Sequence, residues 1–380
     1  MSKDRNFYEG REHSKVKHDF VSSYLEVLAI KLAMAGYTTI NFVDGLAGPW
    51  DVRDETDLTD TSFVTAISQL EKVREFAASK GKSISTRYLL CEKNAQAFSR
   101  LSQFAESREE MVFVFEGEFE NNLENINSYL NSDRDFTLTF IDPKGWKIDS
   151  NRIFDFLRKQ KNGEVLLNFM SDHINRHAAF EDVEASFALF LGNENWRADF
   201  DALDSAISNE KKMLTLFKRK LELEEVANYC PDMPIREKDK ERTKMRLLLG
   251  TRSAKGVQAF RDVQKSEQKK EQAGRDNRAE QKSGQINLFS SEAIMPDDPR
   301  IEIIGSSDQL LEAEKWVVDT LLVSRAMTFK DLSPHVMAEA AVREPDIKKV
   351  LNDMKGRSIV AFDLPSGKRV PQPLTLIRLL

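Results

Sequence analysis

The chain has 380 residues and a formal net charge of −6, with 41% hydrophobic and 31% charged positions. That length exceeds one typical core and predicts two or three structural units, and the composition is that of a folded globular protein rather than a disordered one. The negative balance gives no overall attraction to nucleic acid, so any such contact needs a local basic face.

The segment Met1–Phe20 is charged where a secretory signal needs an apolar core, and no stretch reaches the ~18 apolar residues of a membrane span, so no membrane partner is expected. Two distant cysteines, Cys91 and Cys230, and five scattered histidines complete neither a disulfide framework nor a zinc pattern. A reducing cytoplasm is the expected location, with no metal. Residues Val16–Met34 place Phe20, Tyr24, Leu25, Leu28 and Leu32 at helical spacing, with Gly36 as the stop. Strand-length apolar runs follow at Thr39–Val43, Tyr88–Cys91, Val112–Phe115, Thr137–Ile141 and Val165–Phe169. Helical stretches alternate with them at Ser62–Ser79, Ala95–Phe104, Glu120–Leu130 and Ser150–Lys159. Strand alternating with helix predicts an α/β fold, a doubly wound Rossmann-like and mainly parallel sheet that takes ligands at the carboxyl ends of its strands.

From about 181 to 243 the pattern turns helical and charged and reads as an insertion, before a closing strand at Lys244–Gly250 and a helix at Gly256–Val263. The first domain is thus expected over 1–263. Residues 264–300 are nearly free of apolar side chains at their start and read as a charged linker, a solvated helix or a disordered connection; a nucleic-acid-binding tail is the alternative, which the mixed charge signs disfavour. Over 301–380, helices at Gln309–Val323, Phe329–Ala341 and Asp346–Lys355, then strands at Ser358–Phe362 and Leu374–Leu379, predict a C-terminal winged-helix-like module.

Chemistry concentrates at the strand ends. Asp44-Gly45-Leu46-Ala47-Gly48 closes the first strand with an acid and small residues, which lets the backbone turn tightly and a nucleoside approach. Glu92, ending the second strand, can accept both hydroxyls of a ribose, and a carboxylate so placed is expected to lose its ligand on truncation with little change in melting temperature. Glu118, preferred over Glu116, lies just past the third strand, where it can accept from an adenine amino group. The fourth strand ends in Asp142-Pro143-Lys144-Gly145-Trp146, which offers a carboxylate and an aromatic ring to a substrate. Each acid alone could merely cap a helix or close a turn; four in chain order fit one nucleoside site better. His173 and His177 are four apart without a third ligand and read as a helix-surface pair.

Lys17-His18 ahead of Tyr24-Leu25, the Asp44-Gly-Leu-Ala-Gly-Pro turn, Asp142-Pro-Lys-Gly-Trp and Thr251–Arg261 together resemble the three-Cys-motif partner (TcmP) family over roughly residues 10–265. The resemblance implies a class I methyltransferase-like Rossmann fold, a bacterial or mobile-element origin and a neighbouring radical-type protein with three clustered cysteines. It also raises the standing of His18, otherwise a structural helix residue, as a catalytic group. The chain departs from the family at Val43 and Trp50, and its fourth motif is not the Asp/Asn-Pro-Pro-aromatic signature of amino methyltransferases.

Two functions stay open. In the first, S-adenosylmethionine is held by Asp44, Gly45, Ala47, Gly48, Glu92 and Glu118, while Asp142, Trp146 and His18 serve methyl transfer, with nucleic acid as a candidate substrate in a mobile-element or phage-defence setting. In the second, the pocket is that of a non-catalytic nucleotide sensor or effector that engages a partner. Arg343, Lys348, Lys349, Lys355, Arg357, Lys368 and Arg369 around the last helix and turn suit phosphate contact, with acids interspersed. A module that packs on a protein encoded nearby, or dimerises, fits about as well.

Overall fold

The computed structural model describes residues 12–48, 53–54, 57–108, 110–130, 133–143, 145–146, 148–171, 184–236, 243–283 and 302–380. The chain divides into two units, Met1–Asn228 with Ile235–Arg252, and Tyr229–Pro234 with Ser253–Leu380. The second unit begins earlier than the expected boundary at 263.

In the first unit, α1 (Glu12–Ala35) precedes β1 (Thr39–Asp44), α2 (Ser62–Ser79), β2 (Ser85–Glu92), α3 (Ala95–Glu106), β3 (Met111–Glu116) and α4 (Phe119–Asn127). There follow β4 (Asp135–Ile141), α5 (Ser150–Lys159), β5 (Gly163–Phe169), α6 (Glu184–Leu191), α7 (Trp196–Asp201), α8 (Asn209–Leu223), β6 (Asp232–Arg236), of which Asp232–Pro234 belong to the second unit, and β7 (Thr243–Thr251). The order in the sheet is β3-β2-β1-β4-β5-β7-β6. β1 pairs in parallel with β2 and β4, β2 with β3, and β4 with β5, whereas β7 runs antiparallel to β5. The fold is therefore the doubly wound, Rossmann-like, mainly parallel sheet, and chain order reverses between β1 and β4, which opens a crevice at their carboxyl ends. Between β5 and β7 the described residues form helices α6 to α8 and the strand β6.

Local chemistry sets the element ends. Gly36, at φ 91°, ends α1, and Tyr37 N–H donates to the Leu32 carbonyl at 3.1 Å, closing the last turn. Thr61 and Asn94 accept from Val64 N–H (3.3 Å) and Ala97 N–H (3.0 Å), capping α2 and α3. Both faces of β1 and β4 are buried, as a central parallel strand requires.

Helix α1 runs antiparallel to β5. Its Tyr24 hydroxyl donates to Glu164, near the start of β5, at 2.6 Å, and Lys17, two turns earlier on the same face, reaches Asp142 beyond the end of β4. Glu164 also accepts from Thr251 Oγ at 2.6 Å. Burial pushes the Glu164 carboxyl up from its ordinary value, against the pull of the Thr251 and Tyr24 hydroxyls.

The second unit holds α9 (Ala254–Ser283), α10 (Ser307–Ser324), β8 (Ala326–Thr328), α11 (Phe329–Glu339), α12 (Glu344–Gly356), β9 (Val360–Ala361) and β10 (Leu376–Leu379). β10 is the centre of an antiparallel three-stranded sheet with β8 and β9 on either side. Val257 of α9 shares one buried core with Val317, Leu321, Leu332, Leu351 and Ile377. Arg261 is buried and donates to the carbonyls of Met337 (2.7 Å) and Asp232 (2.8 Å) and to Gln264 Oε1 (2.6 Å). These contacts explain why 253–263 belongs with the C-terminal elements. The helix continues through Ser283, into the stretch whose polarity reads as a linker. Gln268 then accepts from Ile304 N–H at 3.1 Å and donates to the Glu302 carbonyl at 3.3 Å.

Candidate functional site

Asp44 is the last residue of β1 and is fully buried. Its carboxylate accepts from Ser62 Oγ at 2.6 Å and from Leu46 N–H at 3.1 Å. Burial raises it to about 7, the Asp142 charge adding to the rise while Ser62, Leu46 and Lys17 oppose it. Gly45 then crosses the Phe119 ring: a Cβ at that position would stand 2.9 Å from Phe119 Cδ1 and Cγ. Ala47 N–H donates to the Cys91 carbonyl at 2.9 Å. Gly48, at φ 78°, turns where an L side chain is strained, and its N–H donates to Glu92 Oε2 at 3.0 Å.

Glu92 is 1% exposed, and its second oxygen accepts from Asn94 N–H at 2.5 Å. The side chain ties the loop after β1 to the turn after β2. That placement differs from a carboxylate free of backbone contacts, so its removal must cost stability. Glu118 is exposed at the N-cap of α4 and makes no side-chain cap bond. Beneath it, Asn122 Nδ2 donates to the carbonyls of Glu116 (3.0 Å) and Glu118 (3.1 Å), which fixes the turn around Gly117.

Across the crevice, Asp142 follows the last residue of β4. One oxygen pairs with Lys17 Nζ and the other accepts from Asn168 Nδ2 at 2.6 Å. Burial works to raise this carboxyl, and the Lys17 ammonium, the Lys17 and Asn168 hydrogen bonds and the His18 charge together hold it below its ordinary value. His18 is itself buried, 8% exposed, on α1. The structure thus gathers Asp44, Asp142, Lys17 and His18 into one electrostatic neighbourhood at the crevice, with Gly48 and Glu92 at its β2 side.

Trp146 turns elsewhere. Its ring centroid lies 4.4 Å from Phe190, 5.2 Å from Phe169 and 5.7 Å from Phe187, and its Nε1 is buried without a hydrogen-bond partner among the described residues. The ring is part of the aromatic packing between β5, α6 and α8. Three site residues escape a reading by strand-end acids: Lys17, Ser62 and Asn168. Lys17 carries a signal, since it shares the apolar face of α1 with Tyr24, and Asn168 interrupts the apolar run of β5. Trp50, Lys144, His173 and His177 lie outside the described residues. Among the described residues no cluster of three or more His, Cys, Asp or Glu is placed to hold a metal, and no helix is long and apolar enough to cross a membrane.

In the second unit most of the basic residues expected at phosphate are engaged within the chain. Arg357 pairs with Glu314 and with Asp353 (2.9 Å), Arg343 with Asp262 and Asp346 (both 3.8 Å), and Lys355 donates to the Phe362 carbonyl at 2.6 Å. Lys348 Nζ stands 5.0 Å from the Phe329 ring centroid. Lys349, Lys368 and Arg369 are exposed.

No family model matches the chain, and no curated protein matches it. Among solved structures, a protein from Legionella pneumophila is 13% identical, with 62% of this chain and 85% of that one covered and a TM-score of 0.36. The O-methyltransferase from Bacillus cereus in complex with SAH is 11% identical, covering 60% of this chain and 80% of that one at a TM-score of 0.31. The O-methyltransferase TomG from Streptomyces achromogenes, in complex with SAM, is 12% identical, covering 61% and 79% at a TM-score of 0.29.

Proposed function

We propose that the N-terminal unit binds S-adenosylmethionine in the crevice between β1 and β4 and is a methyltransferase-like domain. The observation that carries this reading is the buried Glu92 carboxylate fastened to Gly48 N–H, which shapes a tight acidic loop at the topological switch point. The donor set fits the group: Gly48, at φ 78°, turns the loop without a side chain, Glu92 carries oxygens that can accept further hydrogen bonds from ribose hydroxyls, and exposed Glu118 can meet an adenine amino group. When bound, the cofactor supplies an electrophilic methyl on a sulfonium centre.

The chain's own residues then have to bind and orient. Asp44, neutral below about pH 7, pins the loop through Leu46 and Ser62. Asp142, held ionised by Lys17, is an acceptor aimed at the substrate side, and His18 lies in its field. A substrate offering an N–H or O–H donor beside its nucleophilic atom, such as a nucleobase, would be oriented there, and placement alone supplies much of the acceleration of such a transfer. The winged-helix-like reading of the C-terminal unit makes it the partner-binding part, whether for nucleic acid or for a protein encoded nearby in a mobile-element or defence setting.

One observation favours the sensor reading: both Asp142 oxygens are already engaged, by Lys17 and Asn168, and Trp146 packs into the core. Titration calorimetry with S-adenosylmethionine and S-adenosylhomocysteine tests the proposal. Binding of both is expected, and binding of neither refutes it. Radiolabelled methyl transfer to DNA and RNA then separates enzyme from sensor, since a sensor binds without transfer.

A further inference from the structure

The buried side of α10 is formed by Gln309, Ala313, Val317 and Leu321, spaced four apart. Away from it read Asp308, Leu311, Lys315, Val318 and Leu322, with Arg325 as the C-cap, at alternating steps of three and four; Val318 is half-buried and also touches the core of the unit. Two of these are large apolar side chains in the open: Leu311 is 66% and Leu322 62% exposed. Such spacing places Asp308 to Leu322 along one helical stripe, the pattern of a helix–helix seam, and Arg325 follows just past the helix end at φ 63°.

The stripe is self-complementary when read backwards. In an antiparallel pair related by a two-fold axis near the middle of the helix, Leu311 meets Leu322 of the second copy, and Asp308 meets Arg325. Lys315, which pairs with Glu312 at 4.0 Å in its own chain, would face the half-exposed edge of Val318. Every contact occurs twice, as an isologous interface requires. The acid sits at the helix N-terminus and the base just past its C-terminus, so each also opposes the dipole end of its own helix favourably. The pairing of charges selects the antiparallel arrangement, because a parallel one would stack Asp308 on Asp308 and Arg325 on Arg325.

We propose that the outer face of α10 is a homodimer interface in which two copies of this chain pack α10 against α10 antiparallel. This rests on the C-terminal unit alone and is independent of the cofactor reading. A single helix pair falls in the smaller class of interfaces, so dissociation in the micromolar range is expected.

Sedimentation velocity of the full chain across micromolar concentrations tests this. The expected result is a reversible shift from 43.5 kDa towards twice that mass. Leu311→Glu and Leu322→Lys should each weaken dimerisation at least tenfold with an unchanged circular dichroism spectrum, since both positions are exposed. Combined in one chain they should restore it, because Glu at 311 then faces Lys at 322 of the second copy. The charge exchange Asp308→Arg with Arg325→Asp should behave likewise, each half weakening and the pair recovering. A wild-type chain that stays monomeric to about 200 μM, a concentration at which even a weak specific dimer forms, overturns the proposal. So does a dimer indifferent to Leu311→Glu, or a double variant no better than its singles.

Discussion

Asp44→Asn isolates the electrostatic cost built into the end of β1. The wild-type carboxyl is fully buried, and burial raises it from 3.8 to about 7. Below about pH 4 both folded and unfolded chains hold this proton, so Asp44 costs nothing. Between about pH 4 and 7 the unfolded chain releases it and the folded chain keeps it. Folding then takes up a proton, and stability falls by about 1.4 kcal/mol per pH unit from this group. Above pH 7 the loss is complete, at roughly 4 kcal/mol for a difference of about three units. Asn does not titrate, yet it fits the same contacts: its oxygen can accept from Leu46 N–H, and its amide can donate to Ser62 Oγ once that hydroxyl rotates. The assay is urea unfolding of both proteins in steps from pH 4.5 to 8.5, fitted with two transitions because the chain has two units. The variant should be the more stable protein at pH 8, by a few kcal/mol in the N-terminal transition, and the two curves should converge towards pH 4. Glu164, whose carboxyl burial also raises, cancels in the difference. A difference constant between pH 5 and 8 would refute the reasoning.

Glu92→Ala should abolish calorimetric binding of S-adenosylmethionine and also lower stability by ~1–3 kcal/mol, because the Gly48 and Asn94 amides lose their acceptor; retained affinity removes Glu92 from the cofactor site. Gly45→Ala should cost ~1–3 kcal/mol by forcing a methyl onto the Phe119 ring, and Phe119→Leu in the same chain should recover part of it; strictly additive losses would show that the two do not meet. Lys17→Met should destabilise by about 2 kcal/mol at neutral pH, less than for a fully buried pair because the Asp142 side chain is 25% exposed. The pair holds Asp142 below its ordinary value, so its stabilisation is present above about pH 4 and lost as pH falls through the depressed value. The Lys17→Met deficit should therefore shrink in acid, and an equal deficit at pH 3 and 7 would contradict the assignment.

The alternation of elements was legible because both periodicities are strong in this chain: Thr39–Val43 and Thr137–Ile141 are strand-length apolar runs that end in acids, and each became a central strand. The boundary after 263 was not, because it depends on a contact across distant sequence. Arg261 and Val257 lie on a helix whose first turns read as a continuation of the sheet domain, yet their partners are Met337, Asp232 and the core around Leu332. The polar stretch beyond Gln264 reads as linker because it cannot bury a core. Its Lys, Glu, Gln and Ala residues are nevertheless good helix formers, and the helix runs on through Ser283.

At the site, the sequence locates acids at strand ends and leaves the direction of each side chain undetermined. Trp146 follows Gly145, which adopts φ 132°, a conformation that redirects the chain into the aromatic residues of α6 and α8. A motif reading that treats Asp142 and Trp146 as one unit has no means of separating them. The more dependable signal is a polar residue at an apolar position, since burial without a partner is too costly to persist. Lys17, on the buried face of α1, and Asn168, within an apolar strand, both satisfy that description, and each finds Asp142. Glu164 satisfies it too and finds Tyr24 and Thr251 instead. The same rule therefore identifies two networks on one helix, and what separates them is position along the sheet. Lys17 sits at the carboxyl ends, where a ligand can compete for Asp142, whereas Tyr24 and Glu164 lie near the start of β5, where burial leaves them a structural role.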